Sequence, residues 1–528
     1  MRPFLALLLV LALDTHARAA APPPVEQWIV VVAPDYEKAI IPLVDHRRAQ
    51  GLRVVVVAVR DVLSFRDLAV GDAIPLRDRV RKLWKGHPGR SSILLVGGVA
   101  GAGRGVVPAL RGTAGRMRGQ PSDAGYGCAE GSRLPTVAVG RFPARNAADV
   151  TAMVDKTLAL ERDRKPGAWR RRVTVLAGIP AYNPVVDRLL EGIAFARFDR
   201  MNPSWLGRAV YTADGSRFCL PGKELRSRSL ELLRDGQAFI LYLGHSDAGG
   251  LYGGPTAAFL DRADWGKLRI DRGGSVFITF GCNGCQLAGR DGEGYGLAAA
   301  RNPRGPVAVL GSHGICFASM VQLACDGLFA RAFQSRLPDR LGDCWLAALE
   351  GVSKGPIDFL SYRVLDHMDG DPRIPQATQR EEHLEMFTLL GDPALRLPQV
   401  ADDIMLERPK PIAPGTSIRV RGTLPDRMRG ATVRVTIVRS PASTPLDLEP
   451  VPSKPGSERD GVLLANHRRA NRFEVIGGHV VSRGATFALS LDLPKELPRG
   501  RLGLRVVATT DTEEVIRVQS LEVIRRAE

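Results

Sequence analysis

Two apolar runs in this chain each end in a glycine followed by a residue type suited to covalent catalysis. Ala238-Phe239-Ile240-Leu241-Tyr242-Leu243 runs into Gly244-His245-Ser246, and Ser275-Val276-Phe277-Ile278-Thr279-Phe280 runs into Gly281-Cys282-Asn283-Gly284-Cys285. An imidazole can take the proton of a thiol, and the thiolate then attacks a carbonyl carbon. The charge that develops on the carbonyl oxygen needs backbone N–H donors, here sought at Gly244, Ser246 and Cys282. Losing one such donor typically costs about 10²–10³ in rate. Cys282 follows its strand directly and is the first candidate nucleophile, with Cys285 as the alternative. His313, after the apolar run 306–310, is a rival base but reads first as a cleft-lining or structural residue. The Cys282–Cys285 spacing also suits a redox or metal pair, but no second cysteine pair or His-x₃₋₅-His lies nearby to complete a zinc site. A disulfide between the two would block the nucleophile until reduced.

Such groups must be carried by a scaffold, and the runs themselves indicate which. Near-continuous apolar segments of this length suit strands buried on both faces of a parallel sheet. Functional groups gather beyond the carboxyl ends of such strands. Upstream, strand-like runs at 27–33, 52–59, 91–97 and 134–140 alternate with helical stretches at 35–50, 75–86 and 146–162. A second set begins near Trp169, with strands at 173–177, 238–243, 276–280 and 306–310 and helices at 184–196, 294–300, 320–334 and 344–349. This alternation implies βαβ units and two α/β subdomains sharing a continuous or adjoining sheet. His245 and Cys282 lie 37 positions apart, which leaves room for a loop, a short helix and a return strand. Residues 100–120, rich in Gly, Arg and Ala, read as a mobile loop; Gly101-Ala102-Gly103 lacks the helix and downstream acid of a dinucleotide site.

After Pro393 the composition changes. Prolines at 398, 409, 411 and 414 mark a linker, and from Thr416 onward short alternating strands replace the helices, with a long surface loop at 440–459. That pattern fits an all-β, immunoglobulin-like sandwich acting as a stabilising or spacing module. At the other end, Arg2, the apolar run 4–13 and Ala17-Arg18-Ala19 read as a secretory signal peptide. Its apolar core is too short to span a bilayer, and no later stretch is long enough. The expected product is secreted or periplasmic. The net charge of +17 is spread through every segment, without a basic stripe interleaved with aromatics, so a nucleic-acid partner is not expected. Seven cysteines, an odd count in an exported chain, leave at least one thiol unpaired.

Six segments in this order resemble the gingipain-type family of secreted cysteine peptidases, relatives of the caspases. They are Trp28–Val32 with Gly51–Val55; Ser122-Asp123-Ala124-Gly125-Tyr126 followed by Leu134–Arg145; Asp155–Leu158 with Glu161; Leu243-Gly244-His245; Phe280-Gly281-Cys282; and Leu389-Leu390-Gly391-Asp392-Pro393-Ala394-Leu395. The resemblance covers roughly residues 26–398. It implies a caspase-like α/β peptidase domain, His245 and Cys282 as a catalytic dyad acting through a thioester acyl-enzyme, and protein or peptide substrates. It requires no cofactor and leaves room for a structural calcium ion. The division it suggests is a signal peptide over 1–19, an N-terminal subdomain over 22–165, a catalytic subdomain over 166–400, a linker over 401–415 and the sandwich over 416–528. Ser246 departs from the family's glycine at this point, and serine cannot adopt the backbone angles open to glycine. The histidine-orienting carboxylate of some relatives has no plain match; Asp187 and Glu191 are the candidates. A catalytically inactive relative, acting as a binding or structural protein, is the alternative reading.

Overall fold

The computed structural model describes residues 25–99, 103–254, 258–287, 292–334 and 336–524; the expected signal peptide lies outside them. Ten strands form one sheet: β1 (Gln27–Val32), β2 (Arg53–Ala58), β3 (Ser91–Val96), β4 (Ala138–Phe142), β5 (Arg172–Ala177), β6 (Leu206–Tyr211), β7 (Phe239–Leu243), β8 (Val276–Thr279), β9 (Ala308–Ser312) and β10 (Phe387–Leu390). Their order is β2-β1-β3-β4-β10-β9-β8-β7-β5-β6. The two expected α/β sets are thus one continuous sheet. They are joined by β10, which runs antiparallel to β9 (Leu310 opposite Leu389) and meets β4 at Leu390 and Arg141. Every other pair is parallel.

The eight inner strands are buried on both faces, as their unbroken apolar composition requires, while the edge strands β2 and β6 are partly exposed. In β7 and β8, Phe239, Leu241, Val276 and Ile278 enter one core while Ile240, Tyr242 and Phe277 enter another. Two buried ion clusters fix how the segments meet. Arg47 donates from Nε and Nη2 to Asp392 Oδ2 at 3.0 and 2.7 Å and from Nη1 to Glu161 at 2.8 Å, while Trp28 Nε1 donates to Asp392 Oδ1 at 3.0 Å. Arg141 forms a two-pronged pair with Asp123 at 2.7 Å and donates to the carbonyls of Gly97 and Val107.

Several expectations change. The strand placed at 134–140 begins at Ala138. The 100–120 segment, read as a mobile loop, is anchored where it is described. Leu110–Arg111 pairs with Pro121–Ser122, the Thr113 and Ala114 amides donate to Glu385, and the Arg116 amide donates to Glu382. Between His245 and Cys282 lies a small antiparallel pair, Gly250–Tyr252 with Ala258–Asp261, followed by the helix Arg262–Lys267. Helices Leu360–Asp369 and Gln376–Met386, together with β6 and β10, have no counterpart in the sequence reading. No helix of the described residues is long and apolar enough to cross a membrane.

Beyond residue 400, strands β11 (Met405–Leu406), β12 (Ser417–Thr423), β13 (Thr432–Arg439), β14 (Glu474–Val481), β15 (Thr486–Asp492), β16 (Leu502–Thr509) and β17 (Glu514–Leu521) make two antiparallel sheets. Their orders are β11-β12-β15 and β14-β13-β16-β17, and both sheets contribute to one apolar core around Val420, Val435, Leu491 and Leu504. The helices do not stop there, however. Ser457–Ala470 is helical, with acidic residues in its first turn and basic ones in its last, the arrangement its dipole favours. Just beyond it, Asn471 exchanges two hydrogen bonds with the backbone of Ala209, covering part of the free edge of β6.

Removing one member of a buried ion cluster strands its partners in a medium that cannot solvate them. Arg47→Met should therefore lower unfolding free energy by about 3–5 kcal/mol in denaturant titrations, against less than about 1 kcal/mol for a surface pair. A loss in the surface range would show that Arg47 does not fasten its helix, Ile41–Ala49, to the Gly391–Leu395 segment.

Candidate active site

Four adjacent strands, β9-β8-β7-β5, deliver one chemical group each at their carboxyl ends. The turn after β7 is drawn tight by Gly244, whose φ of +148° L-residues rarely adopt. A Cβ there would come within 2.8 Å of Tyr242 Oη and 3.0 Å of Gly178 N. His245 follows, exposed, and its Nε2 lies 2.8 Å from the carbonyl oxygen of Pro180, in the loop after β5. A carbonyl only accepts, so Nε2 carries the hydrogen and Nδ1 is the basic nitrogen of the neutral ring. Pro180 is presented by an unusual turn: the next residue, Ala181, has φ of +59°, and Ile179 N–H donates to Gly253 O at 3.0 Å.

Cys282 sits half-buried after β8. The turn is completed by Asn283 at φ +56°, a left-handed conformation that asparagine tolerates better than most residues. Its N–H donates to Gly314 O at 2.9 Å. Ser246 does not need the glycine angles that its replacement of glycine put in question; it keeps φ negative in a bridge to Leu251. Its hydroxyl donates to the carbonyl of Cys282 at 2.9 Å and tucks against Gly281, where a Cβ would overlap Ser246 Oγ at 2.1 Å. One side chain thus ties the two turns together. Among the described residues the backbone N–H groups of Gly244, His245 and Ser246 have no acceptor, and that of Cys282 faces its own sulfur.

The alternatives separate clearly. Cys285 is fully buried, pressed between Gly296 and Gly311, and burial pushes its thiol far above the usual range. His313 is also buried, its Nε2 3.3 Å from Glu385 O, and burial lowers its basicity. The two sought carboxylates serve elsewhere: Asp187 Oδ1 accepts the Tyr182 N–H at 3.2 Å, and Glu191 Oε1 accepts the Ser216 hydroxyl at 2.6 Å. The Pro180 carbonyl occupies the orienting position on the imidazole, so neither acid holds the ring. All seven cysteines are free thiols.

The far wall comes from the segment after β9, and sequence reading missed its supports. Cys316 O lies 3.9 Å from Cys282 Sγ. The Phe317 N–H donates to Nε2 of buried His383 at 3.0 Å, while His383 Nδ1 lies 2.6 Å from Gln379 O; burial lowers this imidazole to about 4. The Ala318 N–H donates to Asp369 at 2.6 Å. Arg116, bonded to Glu382 from Nε at 2.9 Å, places its guanidinium 4.0 Å over the Phe317 ring. Asp369 and Arg116 set the local field. Burial, and then the Asp369 carboxylate, push the Cys282 thiol up; the Cys316 backbone, Arg116 and the cysteine's own N–H partly offset this. Burial also raises the Asp369 carboxyl, opposed by the Ala318 N–H, the nearby His245 ring and Arg116. No motif marks either residue: Asp369 ends a helix, and Arg116 lies in a glycine-rich stretch.

Comparison with known proteins bears on this geometry. The family model for peptidase family C25 matches residues 21–398. Among solved structures, the Arg-specific cysteine proteinase gingipain R (RgpB) aligns with TM-score 0.53 at 14% identity, over 94% of this chain and 98% of that one. A complex of the pro- and mature domains of RgpB from Porphyromonas gingivalis gives TM-score 0.52 at 14% identity, over 94% and 100%. A structure described only as a protease gives 0.52 at 15%, over 94% and 97%. At these identities the likeness is one of fold. A search of curated proteins finds no match.

Because Asp369 raises the Cys282 thiol, Asp369→Asn should move the pH profile of Cys282 alkylation by iodoacetamide to lower pH. The sign follows from removing a negative charge that disfavours the thiolate. An unmoved profile, or a shift to higher pH, would place Asp369 outside the field of the sulfur.

Proposed function

The chain belongs to peptidase family C25, and from that we propose that it is an exported cysteine endopeptidase with His245 and Cys282 as its dyad. The observation carrying this reading is the 2.8 Å contact of His245 Nε2 with the Pro180 carbonyl: a carbonyl only accepts, so the hydrogen belongs on Nε2 and the Nδ1 lone pair is the free base. Cys282 is the half-buried thiol on the neighbouring strand end. Its raised pKa means a neutral resting thiol, so proton transfer to Nδ1 accompanies attack on the peptide carbonyl. The sulfur–carbon bond forms, and the carbonyl oxygen takes the negative charge against the N–H groups of Gly244, Ser246 and Cys282. The imidazolium, steadied by Asp369, then protonates the leaving amine. Water, deprotonated by the same ring, releases the acid product from the thioester and restores the thiol. No step uses a cofactor. Apo hydrogen bonds of this kind tighten on substrate binding, and a pair not yet bonded is compatible with catalysis.

Export rests on the charged, apolar and small-residue order of the first nineteen residues. The two C-terminal sheets around one core are read as an immunoglobulin-like module that spaces or steadies the peptidase unit, and the substrates as proteins or peptides.

A peptide carrying a thiol-directed electrophile tests the dyad. Labelling should vanish in Cys282→Ala, survive in Cys285→Ala and slow by about 10²–10⁴ in His245→Ala. Labelling that persists without Cys282, or that never occurs in the parent protein, would leave an inert relative of the family.

A further inference from the structure

A crevice of about 1640 Å³ runs between the ten-stranded sheet and the C-terminal sheets, lined by neither His245 nor Cys282. It is continuous with two smaller hollows that share Asp199 and Arg501 and extend past Arg217 and Arg499. Eleven arginines and six carboxylates line the main part, without a single lysine. The carboxylates are already engaged: Glu514 by Arg171, Glu513 and Asp403 by Arg427, Glu474 by Arg434, Asp402 by Arg517 and Asp199 by the Ser440 hydroxyl. Some of the arginines are paired as well, Arg171 with Glu514, Arg208 with Asp235 and Arg472 with Asp447, but others are not. Arg164, Arg200 and Arg501 hold no carboxylate among the described residues. Arg505 donates only to Pro203 O and Trp205 O, and Arg439 only to the carbonyls of Ser440, Ser443, Arg469 and Ala470.

We infer that this crevice binds an extended, acidic segment of polypeptide, at a site separate from the thiol. Three features select that occupant. The length, carried on through the flanking hollows, suits a chain rather than a single small anion. Guanidinium groups left with carbonyl partners only are matched by carboxylates, which take two parallel N–H donors at once. The six resident carboxylates disfavour a polymer charged on every unit, whereas a polypeptide spaces its acids and offers apolar side chains to Phe195, Trp205 and Phe473. Burial supports the same conclusion: with Arg171 nearby it lowers Arg505 to about 9, and with Arg217 nearby it lowers Arg439 to about 10. An incoming carboxylate relieves that cost.

The test uses the full chain with Cys282→Ala, so that binding is read without hydrolysis and stands apart from the dyad assignment. The probe is a fluorescein-labelled peptide of alternating glutamate and alanine, followed by anisotropy. It should bind, weaken with added salt, and lose at least about tenfold in affinity in the Arg200→Glu/Arg501→Glu variant. Both side chains are exposed, and an unchanged thermal unfolding midpoint would confirm that the variant folds. Equal affinity in parent and variant, or no binding at all, overturns the site. Displacement of the peptide's role by heparin, binding tightly where the peptide does not, overturns the polypeptide assignment.

Discussion

The hydrogen bond from Ser246 Oγ to the Cys282 carbonyl, with Gly281 flush against that serine, is the constraint on which the site depends. Parallel strands hold their ends only as close as the spacing between strands, about 4.8 Å, and side chains at those ends are otherwise free to diverge. Here the turn after β7 is bonded to the turn after β8, and a single added methyl at residue 281 would force them apart. The donor is also buried, so its loss leaves the Cys282 carbonyl without this partner in a place water reaches poorly. Ser246 therefore contributes a bond that glycine has no atoms to make. It does so without adopting glycine's backbone angles.

Rigidity behind those turns comes from buried charge. Arg47 with Asp392 and Glu161, and Arg141 with Asp123, join segments more than a hundred residues apart in one case and flank the central joint of the sheet in the other. Asp392, Glu161, Arg141 and Asp123 lie in the segments that carry the family resemblance, whereas Arg47 comes from the helix Ile41–Ala49 outside them. These residues specify how β1, β4 and β10 meet rather than any step of chemistry. Glu382 and Glu385 extend the same device toward the site, holding the loop that carries Arg116 by its own backbone amides. Carboxylates that cap amides within a fold are satisfied only in one geometry, so they select it.

How much of this was legible depended on whether one segment carried its own signal. β7 and β8 are apolar on both faces and end in glycine, so their position and their cargo were readable from composition. β10 is only four residues, Phe387–Leu390, and follows the helix Gln376–Met386 without an intervening turn, so nothing separates the two patterns. β6 contains Gly207 and Arg208 and lies at the sheet edge, half-exposed, where alternation fades. The helix Ser457–Ala470 buries Leu463, Asn466, His467 and Ala470, a correct helical stripe whose middle is polar because Asn466 and His467 bond to neighbouring backbone. Hydrophobic periodicity cannot register a stripe of that kind. The orienting group on His245 was sought among acids and is a main-chain carbonyl, which no side-chain motif encodes. Asp369 and Arg116 reach the sulfur only through tertiary packing.

The arrangement has a consistent electrostatic logic. From β9 through β8 and β7 to β5, the sheet order reads as wall carbonyl, thiol, imidazole and orienting carbonyl. A carbonyl behind the imidazole, in place of a carboxylate, fixes the tautomer without adding a negative charge that would favour the imidazolium at rest. Asp369 likewise disfavours the thiolate while lying close enough to the His245 ring to interact with it. Burial and Asp369 together hold the resting thiol protonated. Charge separation then costs most before a substrate carbonyl arrives and least once the free amides at residues 244–246 can take up an oxyanion. In the proposed dyad the nucleophile is thereby withheld until the group it acts on completes the site.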